Sequence, residues 1–261
     1  MIFNDLLDWI GRRLVDYLTS PIPGFRPSST TEFEKLRTAL RVGDVLLVEG
    51  DTRVATAIKY LTQSTWSHSA LYAGPLDGRI APDGEPHVLI EALVGDGVIS
   101  APLSKYRDAH TRICRPVSLG PAECVKVASF AIERLGHQYD VKNIVDLARY
   151  LLPTPPVPSQ FRRRLIALGS GEPTRAICST LIAQAFQSVF YPILPHVSYV
   201  GDRTSPVKSE QTQREILHIR HYSLFAPRDF DISPYFAIVK PTIEAGFDYR
   251  NVDWARRETA A

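Results

Sequence analysis

Apolar residues recur at helical spacing over residues 2–19, where Phe3, Leu6, Leu7, Ile10, Leu14, Tyr17 and Leu18 share one side, so an amphipathic helix is expected there. Its polar side carries Asp5, Asp8, Arg12, Arg13 and Asp16 and no lysine. Helices that lie on membranes usually have a basic polar face. Packing on the domain or on a partner is therefore favoured for residues 2–19, with a peripheral membrane contact as the alternative. Pro21, Pro23 and Pro27 end this helix and make a linker.

Beyond the linker, Val42-Gly43-Asp44 reads as a turn feeding a buried strand through Val48. Residues 51–62 suit a short helix with Val54, Ala57, Ile58 and Leu61 on one side. Strands are expected at 68–73, 87–93, 97–101 and 112–117, separated by turns such as Gly74-Pro75-Leu76-Asp77-Gly78 and Gly95-Asp96-Gly97. Short strands in close succession indicate an antiparallel meander. Helices follow at 121–135, with Val125, Ala128 and Ile132 inward, and at 140–152. A proline-rich insertion, 153–175, has a basic and partly apolar middle at 161–168 and reads equally as a lid or a surface loop. A helix at 178–190, a short segment at 216–220 and another at 224–230 complete the ordered part, and the tail from Lys240 is polar. The chain thus divides into residues 1–37 (helix and linker), 38–239 (the main domain with its insertion) and 240–261 (the tail).

Composition narrows the class. The chain has 261 residues, 44% hydrophobic and 22% charged, as expected of a globular protein able to bury a core. A net charge of +2 speaks against nucleic acid as partner. Three widely spaced cysteines make no disulfide framework and suit a reducing compartment. No Cys-x-x-Cys pair suggests zinc. Asn4, Asp5 and Asp8 interrupt any apolar leader, so a cytoplasmic location is expected.

Candidate chemistry gathers on three residues. Cys178 falls in the first turn of its helix, where the helix dipole favours a thiolate. His68 opens a strand directly after Ser64-Thr65-Trp66-Ser67, at an element edge where a cleft can form. Glu91 interrupts the apolar strand Val88-Leu89-Ile90-Glu91-Ala92-Leu93, and a buried carboxylate needs a partner. Orienting His68 would meet that need, and so would an ordinary salt bridge. Cys114 and Cys124 lack comparable neighbours and read as structural.

The ordered series Gly43-Asp44-Val45, Trp66-Ser67-His68-Ser69-Ala70-Leu71-Tyr72, Ile90-Glu91-Ala92 with Gly97-Val98, and Ile177-Cys178-Ser179-Thr180-Leu181 resembles the permuted papain-like amidases. These are the YiiX-like relatives of the NlpC-type cysteine peptidases, and lecithin–retinol acyltransferases share their permutation. Pro227-Arg228-Asp229-Phe230 is similar to a closing element of that family. The resemblance spans roughly residues 38–236. It implies an α+β, circularly permuted papain-like fold, with an antiparallel sheet or small barrel packed against the nucleophile helix. It also implies Cys178 as nucleophile, His68 as base and Glu91 as third polar residue, with no metal or organic cofactor. Tyr139, in Gly136-His137-Gln138-Tyr139-Asp140, is a cleft candidate for which simple packing is an equal reading. The implied activity is a cysteine hydrolase acting on an amide through an acyl-thioester. A lipid-directed acyltransferase or thioesterase is the first alternative, and a non-catalytic binding protein on the same fold is the second.

Overall fold

Strand β1 (Val45–Val48) is buried at all four positions, so it needs cover on both faces and neighbours on both edges. A computed structural model, which describes residues 13, 16–24, 28–93, 95–138, 177–200 and 214–252, supplies all of these. β1 lies between β2 (His68–Tyr72) and β5 (Thr111–Pro116), with Val45 opposite both Leu71 and Cys114. Outside them run β3 (His87–Leu93), β4 (Gly97–Pro102) and, on the far side, β8 (Phe236–Val239). The order is β4-β3-β2-β1-β5-β8, and every pairing is antiparallel. β6 (His196–Val200) and β7 (Arg214–His218) form a separate hairpin. Of sheet and small barrel, the protein has the open sheet, with β4 and β8 as its edges.

Strand alternation sorts the core into two layers. Val45, Leu47, Leu71, Ile90 and Ala92 join one cluster with helix α4 (Ile177–Gln187) and helix α3 (Pro121–Ile132). Leu46, Val48, Ala70 and Leu89 join the other, with Leu36 and Ala39 of helix α1 (Phe33–Ala39). α4 buries Leu181, Ile182, Ala183, Ala185 and Phe186, and a helix apolar on nearly every side belongs inside a protein. The Phe186 ring meets Phe236 edge-on at 5.1 Å and Tyr191 at 5.6 Å. Packing of this kind fixes where α4 begins, and therefore where Cys178 stands.

Several expectations need correction. On α3 the inward residues are Val127, Ala128 and Ala131, whereas Val125 and Ile132 are 55% and 37% exposed. The stripe that faces the core runs through Val127, Ala128 and Ala131 at i, i+1 and i+4 and continues to the partly buried Leu135 just past the helix. α1, β6, β8 and the 3-10 turn Leu103–Tyr106 have no counterpart in the sequence reading. Helix α2 (Arg53–Thr62) fits the helix expected at 51–62, but its deepest residues are Ala55 and Ala57. Past Lys240, helix α6 (Pro241–Glu244) packs on α1 with Pro241 buried. Residues 16–19 are helical, Leu18 is buried, and the Arg53 guanidinium sits 4.5 Å from the Tyr17 ring centroid. Most of 2–19, the helix expected at 140–152, the 153–175 insertion and Tyr139 lie outside the described residues. No described helix is long and apolar enough to cross a membrane.

One glycine shows why a short sequence signal matters. Gly97 starts β4 with φ of 76°, and a Cβ there would stand 2.3 Å from the His137 carbonyl oxygen. That carbonyl accepts the Val98 N–H at 2.9 Å, while the Gly136 N–H donates to the Val98 carbonyl at 2.9 Å. The two bonds tie the exit of α3 to the sheet edge. Gly97→Ala is expected to cost about 2–3 kcal/mol in chemical denaturation, because it adds both a disfavoured φ and a backbone clash. A loss within about 0.5 kcal/mol, the range of inert surface changes, would show that the two segments can separate freely.

Candidate active site

The start of β2 is held from three directions. The Ser67 N–H donates to the Val48 carbonyl at 3.1 Å, and the Ser67 hydroxyl accepts the Gly50 N–H at 2.8 Å. The Trp66 indole N–H donates to Asp231 at 3.1 Å, and Arg112 pairs with the other oxygen of Asp231 at 2.6 Å while lying over the Trp66 ring. Asp231 ends the short helix α5 (Pro227–Asp231). Within Pro227-Arg228-Asp229-Phe230, Asp229 accepts the Ala226 N–H at 2.9 Å and Phe230 is fully buried. That element is therefore an anchor, and its next residue is what steadies the backbone leading into His68.

Glu91 reaches His68 by sheet register. Leu71 pairs with Ile90 and Tyr72 with Leu89, so Glu91 lies opposite Ala70, on the same face as His68 and diagonal to it. His68 Nε2 and Glu91 Oε2 are 2.6 Å apart. The Glu91 side chain is 0% exposed and that of His68 17%. The carboxylate also accepts hydrogen bonds from Lys105 and Tyr106, in the turn after β4. Both needs that the sequence allowed for Glu91, an imidazole to orient and a salt bridge, are met at once.

Cys178 comes from the other layer, in the first turn of α4. Its Sγ stands 3.9 Å from the Ser179 hydroxyl, and the His68 imidazole and Ser69 are the groups that act on its ionisation. Since Nε2 is taken by Glu91, Nδ1 is the imidazole nitrogen left for sulfur. Behind the thiol, the buried hydroxyls of Ser69 and Ser179 are 3.3 Å apart. The structure thus brings Cys178, His68 and Glu91 together.

Electrostatics separate Cys178 from the other two thiols. Burial by itself would push the Cys178 thiol up. The charge and then the hydrogen bond of His68 outweigh burial, with Ser69 adding to them, and bring it down to about 7. For His68, burial would lower the pKa, but the thiolate of Cys178 and then Glu91 raise it to about 10. Burial likewise opposes ionisation of Glu91, yet His68 and then Lys105 hold it at about 2. Burial pushes Cys114 far above the ordinary thiol range and also raises Cys124. Between about pH 7 and 10 the site is a thiolate–imidazolium pair backed by a carboxylate. Such a pair can attack an electrophilic carbonyl carbon and hand a proton to a leaving group.

Lys105, Tyr106, Ser69 and Asp231 escaped the sequence reading. Ser69 alone carried a signal, as the neighbour of the candidate histidine. The other three reach the site through turns and a short helix whose placement no periodicity discloses. Among the described residues, no three His, Cys, Asp or Glu side chains gather as a metal site.

Fold and site define an α+β protein built on a six-stranded antiparallel open sheet, with a buried Cys-His-Glu array where α4 meets β2. No family model matches the chain, and no curated protein matches it. Among solved structures, the crystal structure of metalloprotein YiiX from Escherichia coli O157:H7 is 15% identical, covering 77% of this chain and 97% of its own, with a TM-score of 0.43. A likeness of that size carries no inference about this chain.

Proposed function

We propose that this protein is a cysteine hydrolase with a permuted papain-like arrangement, acting on an amide bond. The observation that carries the reading is the array itself: a first-turn thiol on an imidazole whose far nitrogen rests 2.6 Å from a fully buried carboxylate. Cys178 Sγ attacks the carbonyl carbon, and the electron pair moves to the oxygen. The Cys178 backbone N–H, which a first-turn residue does not commit within its helix, supports that oxyanion. His68 then gives its proton to the departing amine, the C–N bond breaks, and an acyl-thioester remains. Neutral His68 next takes a proton from water as the hydroxide adds to the thioester carbonyl. The intermediate then collapses, the C–S bond breaks, and the acid leaves with the thiolate–imidazolium pair restored. Glu91 keeps the imidazole in the tautomer and orientation both steps need.

Alkylation tests the proposal without a known substrate. Thiolates react and thiols do not, so iodoacetamide should modify Cys178 with a rate that rises through about pH 7. Cys114 and Cys124, both raised, should lag behind throughout. On a turnover assay the same pair gives a bell, rising through about 7 as the thiol ionises and falling through about 10 as the imidazolium loses its proton. Peptide mapping by mass spectrometry across a pH series reads the first prediction. Equal labelling of all three cysteines would sink the reading and favour a binding protein on this fold.

A further inference from the structure

Charges in the site alternate beyond the three residues already described. The Lys105 ammonium forms an ion pair with Glu91 Oε1, the oxygen that His68 does not use. The Tyr106 hydroxyl donates to Oε2, the oxygen His68 does use, and the two rings lie 6.1 Å apart. Both residues sit on the 3-10 turn Leu103–Tyr106, anchored by the buried Leu103 and Tyr106. Lys105 also leans over the Tyr106 ring, 5.3 Å from its centroid. The Lys105 side chain is 34% exposed, whereas that of Glu91 is fully buried.

From this geometry we infer that Lys105 and Tyr106 are positioning residues of the active site. Lys105 is the counter-cation that lets Glu91 stay ionised beside the Cys178–His68 pair, and Tyr106 fixes which oxygen faces the imidazole. The inference rests on the hydrolase reading of Cys178 and His68. The physical reason is charge balance in a medium of low dielectric. Thiolate, imidazolium, carboxylate and ammonium sum to zero, whereas the three-residue array alone leaves a net negative charge shut away from water. The described groups facing Glu91 are His68 from β2 and Lys105 and Tyr106 from the turn. Cys178 from α4, Glu91 from β3 and the Tyr106 ring from the turn are those facing His68. Burial and the Glu91 charge raise the Tyr106 phenol well above its ordinary value, so it remains a donor.

Removing a cation makes every proton in the site harder to lose. Lys105→Met should therefore move the alkylation midpoint of Cys178 upward by about half a pH unit, and the His68 midpoint by more, because Glu91 relays the change to it. The first is read by iodoacetamide kinetics and the second by NMR titration of the imidazole. Lys105→Arg keeps the charge and should restore wild-type midpoints. Glu91→Gln combined with Lys105→Met restores the charge sum and should bring the midpoints back toward wild type, which also covers the case in which the single variant folds poorly. Tyr106→Phe should leave the charge sum alone and slow Cys178 alkylation without a comparable displacement of its midpoint. Wild-type midpoints in Lys105→Met, or equal displacement in the Met and Arg variants, would overturn the inference. Those outcomes leave the hydrolase reading standing, because that reading fails on the wild-type comparison of Cys178 with Cys114 and Cys124.

Discussion

Cys178→Ala is expected to reduce turnover of any amide the wild type cleaves by on the order of 10⁴-fold or more, the scale seen when a nucleophile is removed from an acting unit. Stability should change little, since the substitution removes one sulfur from a buried first-turn position and leaves α4 its apolar contacts. Cys178→Ser separates the two possible roles of the side chain. A serine fills the site and can hydrogen-bond to His68, but its hydroxyl does not ionise near neutral pH, so activity should stay near that of the alanine variant. Rates and denaturation midpoints measured on the same preparations check both statements. Alanine turnover within a few-fold of wild type would remove Cys178 from the mechanism, whatever its alkylation shows.

Glu91→Ala should be the most destabilising change in the site. Glu91 is fully buried and holds His68, Lys105 and Tyr106 at once. Deleting it leaves an imidazole, an ammonium and a phenol without their acceptor, and opens a cavity between β3 and the Leu103–Tyr106 turn. Breaking a buried ion pair in this way costs about 3–5 kcal/mol, readable as a shift in denaturant midpoint at unchanged slope. Glu91→Gln keeps the volume and one acceptor oxygen, so its stability loss should be smaller while activity falls by roughly 10² to 10⁴ through loss of the charged orienting group. An alanine variant as stable as wild type would mean that Lys105 and Tyr106 find other partners, and that the carboxylate is not the hub of this cluster.

The elements that could be read from sequence are those whose burial pattern is local. β3 was expected over 87–93 and runs His87–Leu93, because an apolar run bounded by turns is legible by itself. β8 was missed: Phe236–Val239 follows a helix and a turn, and two of its four residues face solvent, so nothing sets it apart from a loop. Its place as an edge strand comes from pairing with β5, a fact of topology. The same division holds in the site. Glu91 drew notice because a carboxylate stands out in an apolar strand. Lys105 and Tyr106, in Ser104-Lys105-Tyr106-Arg107, look like any polar turn until the fold sets them against Glu91. Val125 and Ile132 misled for the opposite reason, since large apolar residues at helical spacing suggest an inward face, yet the residues that α3 buries are Val127, Ala128 and Ala131.

The bond from Trp66 to Asp231 spans 165 residues of chain, and it carries a kinetic consequence. Contacts so distant in sequence form late in folding, because their loops must close first. During synthesis, the segment bearing His68 leaves the ribosome long before Asp231, and before Phe236–Val239 can complete the sheet beside β5. The nascent chain can hold Glu91 and His68 on neighbouring strands early, but Trp66 gains its anchor only once Asp231 of α5 has been made. A chain stalled short of residue 231 therefore has Cys178 and His68 without the Asp231 anchor that steadies the backbone leading into His68.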